Sequence, residues 1–424
     1  MKNDMVGARW RTTPAIAAKL TSTTAVMALA IAATTALSAP AWATTAPAVV
    51  AQTTPPPPPP PPPADLAPPP VAAEPAPPPP APGPDPASPG FKDIHTGVAL
   101  RVGTKIQGAT DPSKLNDFGI DELTLELRFH GALTPMFSWQ ANFNAVYPDP
   151  TVTAMTTGGR PPVFVQDLIG KLEVMPEFQV WAGRMLVPSD RSNFSGPWFM
   201  SAWNFPGFFP GITTGPVGPI QGLFGRNDGI TIWGDIQKGK FKYFVGVFDL
   251  DQPARSPLFT SRFNLALIGA EPGYYHSSTY YGSQDIVAVG VGGQYQKDGF
   301  GPGANLTTFY VDALAEKNLG PGVGTVEGQY YHFSNGYQLG IKNSFFLLGS
   351  FLINEKVGIG RVQPLVRWQQ ALRTSPLPSE KILDIFATYV IDDYFLRFAV
   401  GYQRSDPGAG AAANAIQFGL QMQR

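Results

Sequence analysis

Beyond residue 90, apolar and polar side chains alternate with a period of two, the period of a β-strand whose two faces meet different surroundings. In the last segment Ile416, Phe418, Leu420 and Met422 alternate with Gln417, Gly419, Gln421 and Gln423. The same period runs through Leu123, Leu125, Leu127 and Phe129 against Glu122, Glu126, Arg128 and His130. It returns in Phe137, Trp139, Ala141 and Phe143 against Ser138, Gln140, Asn142 and Asn144. Helical periodicity is scarce, so the chain is read as all-β.

The charges say which side is wet. Across the clearest strands (98–107, 122–130, 137–145, 361–369, 382–389, 396–403 and 416–423) the apolar faces hold no charged residue. The opposite faces hold Arg101, Lys105, Glu122, Glu126, Arg128, Arg361, Arg367, Asp384 and Arg397. A charge on the lipid face of a barrel costs roughly 2–4 kcal/mol at mid-membrane, which accounts for such segregation. A soluble sandwich or propeller also alternates, but hides its apolar face. Against it stand aromatics near strand ends (Tyr147, Trp181, Trp233, Tyr243, Trp368, Tyr389, Tyr394, Tyr402), where membrane interfaces would hold them, and a polar face rich in amides, which suits a wet lumen.

Nine further strands are expected near 163–174, 178–186, 228–237, 240–250, 260–270, 285–296, 305–315, 324–333 and 343–353, for about sixteen in all. Short connections at Thr134-Pro135, Pro176-Glu177, 237–240 and Asp392-Asp393 alternate with longer ones rich in Gly, Pro and Ser, the habit of outer-membrane barrels. An even count leaves both termini on the periplasmic side. Three features are untidy: the 271–284 connection is long for a periplasmic turn, Pro364 removes a donor from a strand, and residues 178–187 change face midway, which suggests a bulge near Arg184.

The N-terminal part reads differently. Lys2, Arg9, Arg11 and Lys19 precede an uncharged, Ala-rich stretch and Ala41-Trp42-Ala43, which reads as a signal peptide over 1–43. Residues 44–90 form a proline-rich periplasmic linker; prolines fill 21 of the 35 positions from 55 to 89. Such a stretch favours polyproline II and reaches on the order of 100 Å at roughly 3.1 Å per residue. It is expected to act as a passive linker, with a semi-rigid spacer or a cell-wall contact as the functional alternative. The barrel itself spans 91–424.

Composition narrows the function. A net charge of -1 gives no basic footprint for nucleic acid. Absence of cysteine excludes disulfides, thiolate nucleophiles and thiolate metal sites. His95, His130, His276 and His332 show no paired-ligand spacing, and no nucleophile-elbow motif occurs, so neither an enzyme nor a cofactor is indicated.

One connection stands apart. Between Leu186 and Asp228 the chain carries Arg191, Trp198, Phe199, Trp203, Phe205, Phe208, Phe209, Phe224 and Arg226 among glycines and prolines. Rings left in water forfeit roughly 1.5–3 kcal/mol each, so this long loop is expected to fold into the lumen and narrow it. Arg191, Arg226, Asp190 and Asp228 at its ends are expected to pair with the wall.

The hairpin order Leu123–His130, Phe137–Val146, Val165–Val174 and Gln179–Val187 with Gly183-Arg184 resembles the phosphate-selective porins O and P and related general porins. The resemblance implies sixteen strands, a homotrimer and a third long loop folded inside. In the phosphate-specific members lysines line the constriction; here no lysine lies between Pro188 and Asn227, and the chain ends in Gln423-Arg424 rather than an aromatic residue.

The expectation is therefore a transmembrane antiparallel β-barrel of the bacterial outer membrane, acting as a passive diffusion channel for small hydrophilic solutes or ions. Its partners would be outer-membrane lipid and those solutes. Six of the nine wall charges are basic and three acidic, a net of +3, which leans toward anions. Two other readings stay open: a structural barrel with a plugged lumen tethered to the cell wall, and a substrate-specific channel for a sugar or an organic acid.

Overall fold

In a computed structural model the described residues are 94–109, 117–147, 163–208, 225–250, 256–299, 301–337, 340–374, 376 and 378–424. The expected signal peptide and proline linker lie outside them.

Sixteen antiparallel strands form one closed barrel in sequence order. They are β1 (His95–Ala109), β2 (Asp117–Ala132), β3 (Phe137–Tyr147), β4 (Val163–Met175), β5 (Phe178–Leu186), β6 (Arg226–Ile236), β7 (Phe241–Phe248) and β8 (Leu258–Ile268). The second half is β9 (Ile286–Gln296), β10 (Leu306–Asn318), β11 (Gly322–Tyr337), β12 (Ile341–Ile353), β13 (Arg361–Arg373), β14 (Glu380–Asp392), β15 (Leu396–Asp406) and β16 (Ala413–Gln423). Closure joins β1 to β16, with Arg101 opposite Gln421, and the last residue continues the ladder: Arg424 N–H donates to the Val98 carbonyl at 2.8 Å. A closed barrel leaves no edge strand, and all backbone pairing is internal, as a hydrocarbon surrounding demands. No helix among the described residues is long and apolar enough to cross a membrane.

Burial is inverted relative to a soluble protein. In β16, Gln417, Gln421 and Gln423 are buried while Ile416, Phe418 and Met422 are more than 40% exposed. Val98, Leu127, Phe263, Leu265, Leu347, Val366, Ile385 and Val400 repeat this outward display around the cylinder, while Arg101, Glu126, Arg262, Asp312, Arg367 and Asp384 lie buried inside. The apolar face therefore forms the outside of the barrel, and amides and charges form its interior.

Because neighbours are antiparallel, connections fall alternately on two rims. The rim that holds both ends of the barrel carries the short turns, including 133–136, 176–177, 237–240 and 393–395. At 237–240, Gln237, Lys238 and Gly239 all take positive φ, the geometry tight hairpins need. Pro364 is accommodated because the β12–β13 ladder ends at Ser350 and Leu365, one residue short of it.

One expectation needs correction. Trp181, Trp233 and Tyr394 do not sit at a membrane interface; they are buried inside the barrel, because interior segments offer their rings a packed apolar surface. The 269–285 connection, on the short-turn rim, is not a simple turn: Glu271, Tyr274, His276, Ser278, Thr279 and Tyr281 are all buried.

Candidate pore lining and constriction

The loop after β5 begins with a one-turn helix, α1 (Arg191–Ser195), because Asp190 caps it: its carboxylate accepts the Asn193 N–H at 3.0 Å. The other Asp190 oxygen accepts the Tyr331 hydroxyl of β11 at 2.6 Å. Burial raises the Asp190 carboxyl above the usual range, even with the Tyr331 hydroxyl and the Asn193 amide beside it. The helix is docked on inward-facing side chains. Asp312 of β10 accepts the Arg191 backbone N–H at 3.2 Å and holds Arg262 of β8 in a two-point contact at 2.5 and 2.9 Å. Arg262 in turn donates to the Ser189 carbonyl at 2.8 Å, and Ser192 donates to Gln329 of β11 at 3.1 Å.

The following stretch crosses to the other wall. Trp198 Nε1 donates to Glu126 of β2 at 2.8 Å. Arg101 of β1 donates to the carbonyls of Pro197 and Trp203 at 2.8 and 2.9 Å, and to Glu122 at 2.7 Å. Arg397 of β15 donates to the Met200 carbonyl at 2.6 Å, and Gln421 of β16 to the Trp198 carbonyl at 2.9 Å. Farther on, the Gly207 N–H donates to Gln369 of β13 at 2.9 Å, and Phe208 packs with Tyr310, Tyr331, Phe333 and Ile341.

All nine sequence-identified wall charges lie on inward-facing positions, but few stand free in a lumen. Arg101, Glu126, Arg367, Asp384 and Arg397 are buried, and four of them bond the loop directly, Arg367 through the Phe205 carbonyl at 3.4 Å. Arg367 pairs with Asp384 at 2.9 Å, Arg128 with Glu126 at 2.5 Å, and Arg361 with Asp393 near the short-turn rim at 3.2 Å. Glu122 and Lys105 are half-buried. Of the loop residues, Arg191, Trp198, Trp203 and Phe208 are buried, and Phe199 and Phe205 are half-buried. Phe209 and Phe224 lie outside the described residues. At the loop ends Arg226 pairs with Asp167 at 3.2 Å and Asp228 with Arg184 at 2.8 Å, as expected.

The wall's basic lean shrinks. Asp167, Asp235, Asp312, Glu316 and Glu327 also lie buried on the strands, against Arg226, Lys242 and Arg262 on the basic side, which offsets most of the excess.

Sequence reasoning missed the 269–285 segment as part of the barrel interior. Glu271 accepts both Arg191 terminal nitrogens at 2.6 and 2.7 Å, the Tyr280 hydroxyl at 2.8 Å and Asn264 Nδ2 at 3.0 Å. Burial works against its charge, but Arg191 and then His276 hold its carboxyl well below the usual carboxylate range. Tyr274 stacks on Trp181 at 4.4 Å. The signal was there in the pairs Tyr274-Tyr275 and Tyr280-Tyr281, the same aromatic density that marked the longer loop.

No family model and no curated protein matches the sequence. Among solved structures the barrel is similar to OmpF of Salmonella typhi in complex with daunomycin, at a TM-score of 0.53 and 11% identity, covering 78% of this chain and 97% of that one. It is also similar to an anion-selective porin from Comamonas acidovorans (TM-score 0.49, 13% identity, 78% and 99% covered) and to a mutant porin of Rh. blastica (0.48, 14%, 78% and 100%). At such identities the likeness to OmpF speaks to architecture alone: the chain has the barrel fold of bacterial outer-membrane porins.

Proposed function

We propose that the protein is a passive outer-membrane diffusion channel for small hydrophilic solutes or ions, without cofactor or catalysis. The observation that carries this reading is the inverted burial, with large apolar side chains outward and amides and charges inward on one closed cylinder. The porin fold supports it. With the short-turn rim in the periplasm, the proline-rich segment would extend from that side as a spacer, with a contact to the cell wall as its further role. A homotrimer and kinship with the O and P porins rest on the hairpin resemblance. Nearly balanced interior charges favour weak charge selectivity over the slight anion preference the first nine wall positions suggested, and the lysine-free loop speaks against phosphate specificity.

Stepwise conductance of the purified protein in planar bilayers tests this, and reversal potentials under a salt gradient report the charge preference. An ion-tight barrel would favour the second reading, a plugged structural barrel. That reading has one specific support: Arg101, Arg191, Arg262, Lys242, Arg367 and Arg397 are each no more than 1% exposed, so the interior around the loop is densely filled. A sugar or organic-acid channel would show instead as solute-dependent rates in liposome swelling.

A further inference from the structure

The two inward segments enter from opposite rims and meet. The loop after β5 descends from one rim; residues 269–285, between β8 and β9, rise from the rim that otherwise carries short turns. Hairpin connections ordinarily need two to five residues, so this one is far longer than strand reversal requires. Its backbone pairs with the other segment: Ser278 N–H donates to the Phe199 carbonyl at 3.0 Å, and His276 N–H to the Phe194 carbonyl at 3.5 Å. Ser201 Oγ donates to the Ser278 carbonyl at 3.2 Å.

Side chains close the junction. Arg191 of α1 and Glu271, both fully buried, form a two-point ion pair, and Arg191 also donates to the Ser277 carbonyl at 2.9 Å. The only other carboxylate paired with Arg191 among the described residues, Asp312 at 3.7 Å, is already engaged by Arg262. Removing either segment would leave a buried charge without its main counter-charge, an outcome more costly than never burying it. Glu316 of β10 anchors the far end, accepting Thr279 Oγ1 at 2.6 Å and the N–H groups of Tyr280 and Gly282 at 3.0 Å. From the 393–395 turn, the Tyr394 hydroxyl lies 2.8 Å from the carbonyls of both Phe199 and Thr279.

We propose that residues 269–285 form a second constriction element, and that the two segments, joined at Arg191 and Glu271, together set the narrowest section of the lumen. The inference rests on the channel reading and makes Glu271, Tyr280 and Tyr394 positioning residues for solute size selection.

Two experiments on the full chain test it. Because the chain lacks cysteine, a disulfide in the double variant Ser201→Cys, Ser278→Cys reports only whether the segments meet in the membrane. Crosslinking on oxidation is expected; its absence overturns the proposal. In the second, residues 273–283 are replaced by an Asn-Gly turn, folding is checked by heat-modifiable gel migration, and unit conductance and swelling cut-off are compared with the parent. A rise of roughly twofold or more in conductance with a larger cut-off is expected. If the parent conducts and the deletion changes neither quantity, the proposal fails and the channel reading stands. A parent that is ion-tight with a deletion that conducts leaves the segment's role intact and sinks the passive-channel reading; two ion-tight proteins sink both. Should the deletion not fold, Glu271→Gln replaces it in the conductance arm, with a higher and noisier conductance expected and an unchanged one overturning the proposal.

Discussion

Trp203 lies against the bare backbone of Gly419: a Cβ at that glycine would fall 2.4 Å from the indole Cε2 atom. At Gly103, its partner on the adjoining strand, an added Cβ would lie 3.4 Å from Nε1, an ordinary contact, and the Arg101 guanidinium sits 3.8 Å from the ring centroid. Gly419 makes a shelf that only a residue without a side chain can provide.

The first prediction follows from that shelf. Gly419→Val pushes Trp203 off the wall and destabilises the loop by about 1–3 kcal/mol, the usual scale of overpacking. Thermal unfolding in detergent should show a lowered midpoint, and tryptophan emission a red shift. Unchanged values for both would show that the indole is not seated there.

Tyr394→Phe removes one hydroxyl that serves two segments. The carbonyls of Phe199 and Thr279 and the Thr279 N–H all lose a partner in a buried place, a loss of about 1–3 kcal/mol. Tyr389→Phe is the control, because its hydroxyl serves only the exposed 357–360 turn. Urea unfolding in vesicles should separate the two variants, Tyr394→Phe being the weaker; equal midpoints would contradict the junction's contribution.

Acid should loosen the junction. Burial, with Lys242 next, pushes the His276 imidazole well below its usual value, and Glu271 is held well below the carboxylate range. Both groups bind fewer protons folded than unfolded, so stability rises with pH through the window between the two states and is lost on acidification. The His276 contribution falls away below about pH 6.5 and that of Glu271 below about pH 4.3. Asp190 opposes them, since its raised carboxyl is relieved by acid. Near-ultraviolet circular dichroism should show a lower melting midpoint at pH 5 than at pH 7, and His276→Gln should flatten that difference. A parent midpoint that does not move over this interval would count against the account.

On the outer surface, Phe418→Arg should cost about 2–4 kcal/mol, because Phe418 projects outward opposite Thr104 and Val400 near mid-strand. Phe418→Leu should cost far less. Reversible unfolding in lipid vesicles measures both, and equal costs would mean that this face does not touch hydrocarbon.

The barrel was legible in the sequence because its rule is local: two-residue alternation with charges confined to one side gives strand, face and surroundings together. Ile416 to Gln423 can be read without knowing any neighbour. Even the awkward stretch at 178–186 was partly readable: no bulge interrupts its register with β6 at Arg184, but Gly183 takes a φ of +126 there. The interior was not legible, because it depends on partners far apart in the chain. Arg191 and Glu271 lie 80 residues apart, and Arg101 and Gln421 lie 320 apart. Trp181 and Trp233 look like interfacial aromatics in sequence, but inside the barrel they pack on each other and on Tyr274, which comes from a distant connection.

The loop after β5 also touches the place where the cylinder is sewn shut. Pro197, Trp198, Met200 and Trp203 are gripped by Arg101 on the first strand and by Arg397 and Gln421 on the last two. A seam between chain ends is where an unfinished cylinder gapes, and here a mid-chain segment staples it from within. Closing the cylinder and seating that segment therefore reinforce each other, and a barrel that has not swallowed its loop lacks these inner bonds across its seam.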